Sequence, residues 1–455
     1  MNPSTRAMVS DLFVLTLVLA GVLLPAPGRA DAARELTLAQ ALDLAGERNP
    51  LLRAARQDLQ AADAQRHIAV SGWLPKIEAS ETYVNTNNPA QAFSILLNQG
   101  RFTAADFNPI TLNSPGTKEN WRAAVSLVQP LYNGGRERLN IEIADIGRSA
   151  SEETVEHARQ RVLFGVTKAY YDLVLAKAAL TVSRETVQIA EASARQIRSR
   201  FEGGATVKSD LLQAEVRLAA LREEAIRADQ AVRVAAIVLR HAIGLDEPVD
   251  VSESLTPSGP SAQAPDAAVP KALEARPDFR ALEAELRKAD AHIQLAKSAY
   301  LPTFNVQTSY ELNNTAPFSP NGSNNYVALG LFSFNLFNGL GDAAAIRRAR
   351  AQQDKARELL EAKRREIEVE VVEASYGLTA ARERIAVSES AVAQAEENLR
   401  ITRNRYNSGI ASVLDLLTAE LVLNQAKQNR TRALYDERIG LAKVQLVTGQ
   451  FEKRP

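Results

Sequence analysis

Four histidines, His67, His157, His241 and His292, stand too far apart to share a metal, and no carboxylate or thiol is spaced to complete a ligand set around any of them. The chain has no cysteine, so disulfides, thiol nucleophiles and a lipid-modified amino-terminal Cys are all excluded. Catalytic triads, glycine-rich phosphate loops and nucleotide motifs are not visible either. The plentiful carboxylates alternate with Lys and Arg on long charged stretches, the pattern of solvated helix faces. These residues argue against an enzyme and against a resident metal or cofactor. The polar residues with informative placement gather at two chain reversals. One is Arg200-Phe201-Glu202-Gly203-Gly204, followed by Ser209-Asp210-Leu211-Leu212; the other is Arg405-Tyr406-Asn407-Ser408-Gly409, followed by Asp415-Leu416-Leu417. An Asp just beyond such a turn is favoured at a helix start by capping and by the helix dipole.

Both reversals belong to an internal duplication. Leu74-Pro75, opening a run that ends at Tyr83, recurs as Leu301-Pro302 ending at Tyr310, an offset of 227 (301 − 74). Further on the offset is 205: Leu131-Tyr132-Asn133-Gly134 matches Leu336-Phe337-Asn338-Gly339, Asp210 matches Asp415, and Gly244 matches Gly449. The difference, 22 residues (227 − 205), falls between Tyr83 and Leu131, a loop free to vary while the rest keeps register.

The elements that must carry the reversals are long helices. No proline occurs between Gly135 and Phe201 or between Gly339 and Tyr406, and each stretch would measure about 100 Å as a continuous helix. Val166, Leu173, Leu180, Val187, Ala194 and Phe201 fall seven apart, as do Val371, Leu378, Ile385, Val392, Leu399 and Tyr406. Strict heptads imply supercoiling. The companion seam is small: Ala169, Ala176, Ser183 and Ala190 in one copy, and Ala374, Ala381, Ser388 and Ala395 in the other. A seam with one large and one small position fits helices laid side by side into a sheet or cylinder. Leu211, Leu218, Ala225, Val232 and Leu239 continue the heptad on the first return helix. On the second the stripe starts with Leu416 and Leu423 and fails at Arg430, which predicts a less securely placed helix.

Ahead of each helical hairpin the period changes to two. Phe304, Val306, Thr308, Tyr310 and Leu312 alternate with polar neighbours, and Trp121, Ala123, Val125 and Leu127 do so less cleanly. Alternation over roughly ten residues suits a tilted strand crossing an outer membrane. Four strands per chain cannot close a barrel, and an open edge is not tolerated in lipid, so spanning strands demand oligomerisation. Asn-, Pro- and Gly-rich connections, including all of 85–120 with the apolar patch Phe93, Ile95, Leu96 and Leu97, read as exposed loops.

Composition agrees with export to an envelope compartment. Basic and acidic residues balance at 54 each, against a nucleic-acid binder. Arg6, the apolar run Leu12 to Leu24 and the small-residue site Gly28-Arg29-Ala30 predict a signal peptide over 1–30. The first repeat then covers 31–244, with strands at 74–86 and 120–131, a long helix at 135–201 and a return helix at 208–244. A Pro-rich linker spans 245–270. The second repeat covers 271–450, with strands at 301–313 and 325–336, helices at 339–406 and 411–449, and a tail at 451–455.

Taken together, the duplicated strand-strand-long-helix-return-helix unit, the paired Leu-Pro openings and the Arg-aromatic-x-x-Gly turns ahead of Asp-Leu-Leu resemble the TolC-type outer-membrane efflux channel family. That resemblance implies a mainly helical protein with membrane β-structure: a homotrimer whose protomers each give four strands to a 12-stranded barrel and their helices to a tube through the periplasm. It implies a passive exit duct in the cell outer membrane, serving tripartite efflux or type I secretion. A periplasmic adaptor would dock on the tips Gly203, Gly204, Ala205, Ser408, Gly409 and Ile410, coupled to an inner-membrane pump of RND, ABC or MFS type, and the linker would join an equatorial belt. It places Asp415 on the axis at the closed entrance, where three copies would attract cations and raise one another's pKa. The family's second acidic ring falls at Thr418 here. Ser209 and Asp210 match the polar pair that holds the inner hairpin shut, and Tyr406 its hydrogen-bonding tyrosine. The expected latch arginine is Ala411, leaving Lys208, Arg403 and Arg405 as nearby cations. The competing reading is a non-conducting periplasmic or surface structural coiled coil.

Overall fold

The computed structural model describes residues 34–257 and 265–451, so the expected signal peptide lies outside the described residues. Two helices of 67 residues dominate: α5 (Arg136–Glu202) and α9 (Gly341–Asn407). Each starts from a left-handed residue, Gly135 (φ 78°) before α5 and Leu340 (φ 64°) before α9. Each reverses into a return helix, α6 (Lys208–Ile243) or α10 (Val413–Val447). Laterally the helices run α6, α5, α10, α9, with α10 wedged between the two long helices.

That placement corrects the expectation for the second return helix. Arg430 is exposed and pairs with Glu389 at 3.4 Å, while Leu416, Leu423, Ala426, Ala433 and Leu434 are buried. A helix covered on two sides needs no single heptad register, so one outward arginine does not loosen it. The sparsely buried return helix is instead α6, where Ala214, Leu221, Leu239 and Ile243 are the buried residues and Leu212, Val216 and Ile226 stand exposed.

The strands form one antiparallel sheet in the order β2 (Lys76–Thr86), β3 (Lys118–Asn133), β5 (Thr303–Asn314) and β6 (Ser323–Ser333). The register sets Val125 opposite Tyr310 and Ser126 opposite Ser309, so across β3 and β5 one face is apolar and the other mainly polar, while β6 adds Val327, Leu329 and Leu331 to the Ser309 face. β6 stops at Ser333, short of the expected 336, because its last partner is Thr303, the first residue of β5. β2 and β6 are the edges, each paired on one side only.

Two expected loops carry structure. The 85–120 segment contains α3 (Pro89–Asn98) and α4 (Pro109–Asn113), each with an Asn cap followed by Pro at the first helical turn. Ile95 is buried there, and Phe93 meets Phe102 edge to face at 5.0 Å. Gln99 donates to Asn120 Oδ1 at 2.9 Å, seating the segment against the sheet. Within the 245–270 linker, β4 (Val249–Val251) pairs in parallel with β1 (Arg34–Leu36), and α7 (Pro265–Ala275) leads into α8 (Pro277–Lys297). Ahead of the first strand hairpin run α1 (Leu38–Arg48) and α2 (Pro50–Ser71), the latter packed on α5.

A core at this level gathers Leu36, Leu163, Tyr170, Leu173, Leu239, Ile243 and Val251, with the Tyr170 hydroxyl donating to Leu36 O at 3.1 Å. Beside it the buried Arg276 donates to Asp278 at 2.8 Å and Glu370 at 2.5 Å, and Lys363 reaches Asp278 at 3.1 Å. Burial, the largest single influence, pushes the Asp278 carboxyl up, but Arg276 and Lys363 together outweigh it and hold the group far below the usual carboxylate range.

Candidate functional site at the helix turns

The two reversals have the same backbone. Ala205 N bonds Arg200 O at 2.8 Å and Gly204 N bonds Phe201 O at 3.0 Å; Ile410 N bonds Arg405 O at 2.9 Å and Gly409 N bonds Tyr406 O at 3.0 Å. These paired bonds define Schellman caps, with Gly204 (φ 72°) and Gly409 (φ 77°) in the left-handed position that a Cβ disfavours. Gly203, Gly204, Ala205, Ser408, Gly409 and Ile410 are all exposed.

Behind the turns an apolar cluster joins the hairpins: Ala194 and Ile197 of α5, Ala214 of α6, Leu399 and Tyr406 of α9, and Val413 and Leu416 of α10. Tyr406 is buried, and its hydroxyl has no hydrogen-bond partner among the described residues. It makes no bond to Asp210 within the protomer. Asp210 instead accepts from Thr206 Oγ1 at 2.6 Å, near the start of α6, and Ser209 is exposed. Burial raises the Tyr406 pKa, partly opposed by Arg200.

The residue that ties the hairpins together was not among the three candidate cations. Arg200, in the last turn of α5, donates to Tyr406 O at 2.8 Å and to Asn407 O at 2.5 Å, and its guanidinium lies 4.6 Å from the centre of the Tyr406 ring. Gln196, one turn back, donates to Asn407 Oδ1. Arg200 thus satisfies carbonyls that end α9 and sits where the helix dipole favours a cation. Of the candidates, Arg403 lies 3.8 Å from Glu420, whereas Lys208 and Arg405 are exposed and their side chains form no hydrogen bond or ion pair among the described residues. The available sequence cue for Arg200 was its identity with Arg405 across the repeat.

Asp415 occupies the third position of a capping box. Ser412 N and Ser412 Oγ donate to its carboxylate at 2.9 and 2.8 Å, and its own N–H donates back to Ser412 Oγ at 3.1 Å. The backbone bond from Ser412, then the hydroxyl, lowers its pKa. Any rise from like charges around an axis would act against this cap. Asp415 and Thr418 are both exposed, and the Thr418 hydroxyl donates to Leu414 O at 2.7 Å.

A polar ladder missed at the level of sequence runs along the α5–α10 seam. Glu420, only 6% exposed, accepts from Ser193 Oγ at 2.5 Å, and Thr186 donates to Asn424 at 3.1 Å. Burial raises the Glu420 pKa, opposed by Ser193, Arg403 and Arg217.

Comparison with known proteins supplies the context for this geometry. The pattern of outer membrane efflux proteins matches residues 41–245 and 268–450. The two matched segments begin 227 apart (268 − 41) and end 205 apart (450 − 245), the offsets of the internal repeat. The chain is 26% identical over 435 residues to Protein CyaE of Bordetella pertussis, covering 90% of this chain and 85% of that protein. It is 24% identical over 414 residues to outer membrane efflux protein BepC of Brucella suis, covering 90% and 84% respectively. A crystal structure of a membrane protein from Pseudomonas aeruginosa has the same fold, with a TM-score of 0.79 at 23% identity over 92% of this chain and 91% of that one.

Proposed function

The chain belongs to the outer membrane efflux protein family and acts as an export channel of the cell outer membrane; from that premise we propose that three copies close one 12-stranded barrel in lipid above a continuous helical tube. The observation that carries this reading is the four-stranded sheet with an apolar face and two unpaired edges, β2 and β6. Such edges need a partner within lipid, and edge pairing between copies supplies it while continuing the sheet. Among the described residues no helix is long and apolar enough to cross a membrane.

Flow is passive in this reading. The tips Gly203 to Ala205 and Ser408 to Ile410 receive a periplasmic adaptor, which couples the duct to an inner-membrane pump of RND, ABC or MFS type. Asp415, with Thr418 one turn on, rings the periplasmic entrance, and Ser209, Asp210 and Tyr406 belong to the closing region. The exposure of the Asp415 carboxylate and of both turns supports these assignments. The test is purification from the outer membrane in detergent, with native mass and conductance in planar bilayers. A heat-resistant trimer that conducts ions is expected; a monomeric, freely soluble chain without conductance would sink the proposal in favour of a structural coiled coil.

A further inference from the structure

Within the protomer Arg200 caps the end of α9, and the repeat places an identical residue, Arg405, at the same position of the other Schellman turn (405 − 200 = 205). The Arg405 side chain is exposed and makes no hydrogen bond or ion pair among the described residues, only a longer-range attraction to Asp415. The residue that Arg405 would reach by the repeat relation is equally unengaged: Asn407, the Arg200 acceptor, corresponds to Glu202, an exposed carboxylate without an ion pair among the described residues. Tyr406 corresponds to Phe201, an aromatic ring available for the same stacking.

The lateral order of helices says where such a contact can form. α5 reaches the α9 terminus because it packs on α10; the equivalent neighbour of α9 is an α6 beyond the edge of the protomer. Both of those outer helices keep apolar residues exposed, Leu212, Val216 and Ile226 on α6 and Val369, Tyr376 and Val387 on α9. We infer that Arg405 clamps the α5 terminus of a second copy of this chain, donating to the carbonyls of Phe201 and Glu202 and pairing with the Glu202 carboxylate. The entrance is then ringed by two alternating kinds of arginine clamp, Arg200 within each copy and Arg405 between copies. The second kind carries an added ion pair because Glu202 replaces Asn407.

This inference rests on the threefold assembly proposed above, and its test separates the two. The native chain has no cysteine, so Arg405→Cys with Glu202→Cys introduces the only thiols, and Arg200→Cys with Asn407→Cys is the control. Mild oxidation, or a short bis-maleimide, is expected to convert the first double variant into covalent dimers and trimers after boiling, while the control stays monomeric on the gel. A trimeric native mass with no interchain link in the first variant overturns the Arg405 contact and leaves the assembly standing; a monomeric native mass overturns both. A charge swap gives a second readout without thiols. Arg405→Glu is expected to raise conductance severalfold, and adding Glu202→Arg to restore it; unchanged conductance in Arg405→Glu overturns the clamp.

Discussion

Arg200 closes the end of the helix that carries Tyr406 by lying over the Tyr406 ring at 4.6 Å and donating to the Tyr406 and Asn407 carbonyls. Removing it exposes unsatisfied carbonyls and loses charge-assisted bonds, a cost of about 1.5–3 kcal/mol. Arg200→Ala should lower the chemical denaturation midpoint and raise single-channel conductance. Arg200→Lys should fall between, because an ammonium keeps the charge without the planar fork. Wild-type conductance in Arg200→Ala would show that the tie does not restrain the entrance.

Tyr406→Phe tests the opposite kind of contact. The hydroxyl is buried without a partner among the described residues, so deleting it relieves a desolvation cost and should be neutral or stabilising by up to about 1 kcal/mol. Conductance should not change. A leaky Tyr406→Phe channel would mean that the hydroxyl gains a bond on assembly.

Glu420 makes the α5–α10 seam sensitive to pH. Its folded pKa is raised by burial, so its folded form binds the proton more tightly than the unfolded chain does. The associated stability is fully present below about pH 4.3 and is lost as pH rises through the folded value. Glu420→Gln keeps a group that can accept from Ser193 and should flatten the dependence of melting temperature on pH just above the carboxylate range. An unaltered pH profile would rule Glu420 out as its source.

The Arg276 network has the reverse sign. Asp278 is depressed in the folded state, so its contribution is present above about pH 4 and declines as pH falls through the folded value. Arg276 is 7% exposed in its side chain; Arg276→Ala leaves the part-buried Asp278 and Glu370 carboxylates without their arginine and should cost about 1.5–3 kcal/mol. Calorimetry of the variant should also show a weaker loss of stability on acidification. Loss below 1 kcal/mol would place the network's weight elsewhere.

Asp415→Ala should reduce block by divalent cations and leave anion passage unchanged or raised. Since Asp415 is also half of a capping box with Ser412, Ser412→Ala is the control: it weakens the cap and keeps the charge. Equal block in wild type and Asp415→Ala would remove Asp415 from the pore axis.

Much of the fold was legible because its signals are local and periodic. Proline-free heptads announced α5 and α9, alternation announced β5, and the matched turns announced both reversals. The less legible elements lack such a period: α3 and α4 begin at Asn-Pro pairs that also read as loop, and β4 is three residues long, defined by its partner β1.

Repetition and spacing within the chain thus specified what each unit is: two copies, long hairpins, paired strands, and an arginine at the third position from each helical end. Which arginine engages within the protomer, which return helix is covered on both sides, and which glutamates are buried depended on lateral order. Arg200 and Arg405 hold the same place in their repeats, yet one meets a helix terminus of its own chain and the other faces outward. Side-chain packing across 200 or so residues of separation settles that choice, through the fit of one helix surface against another, and no window of sequence contains both surfaces.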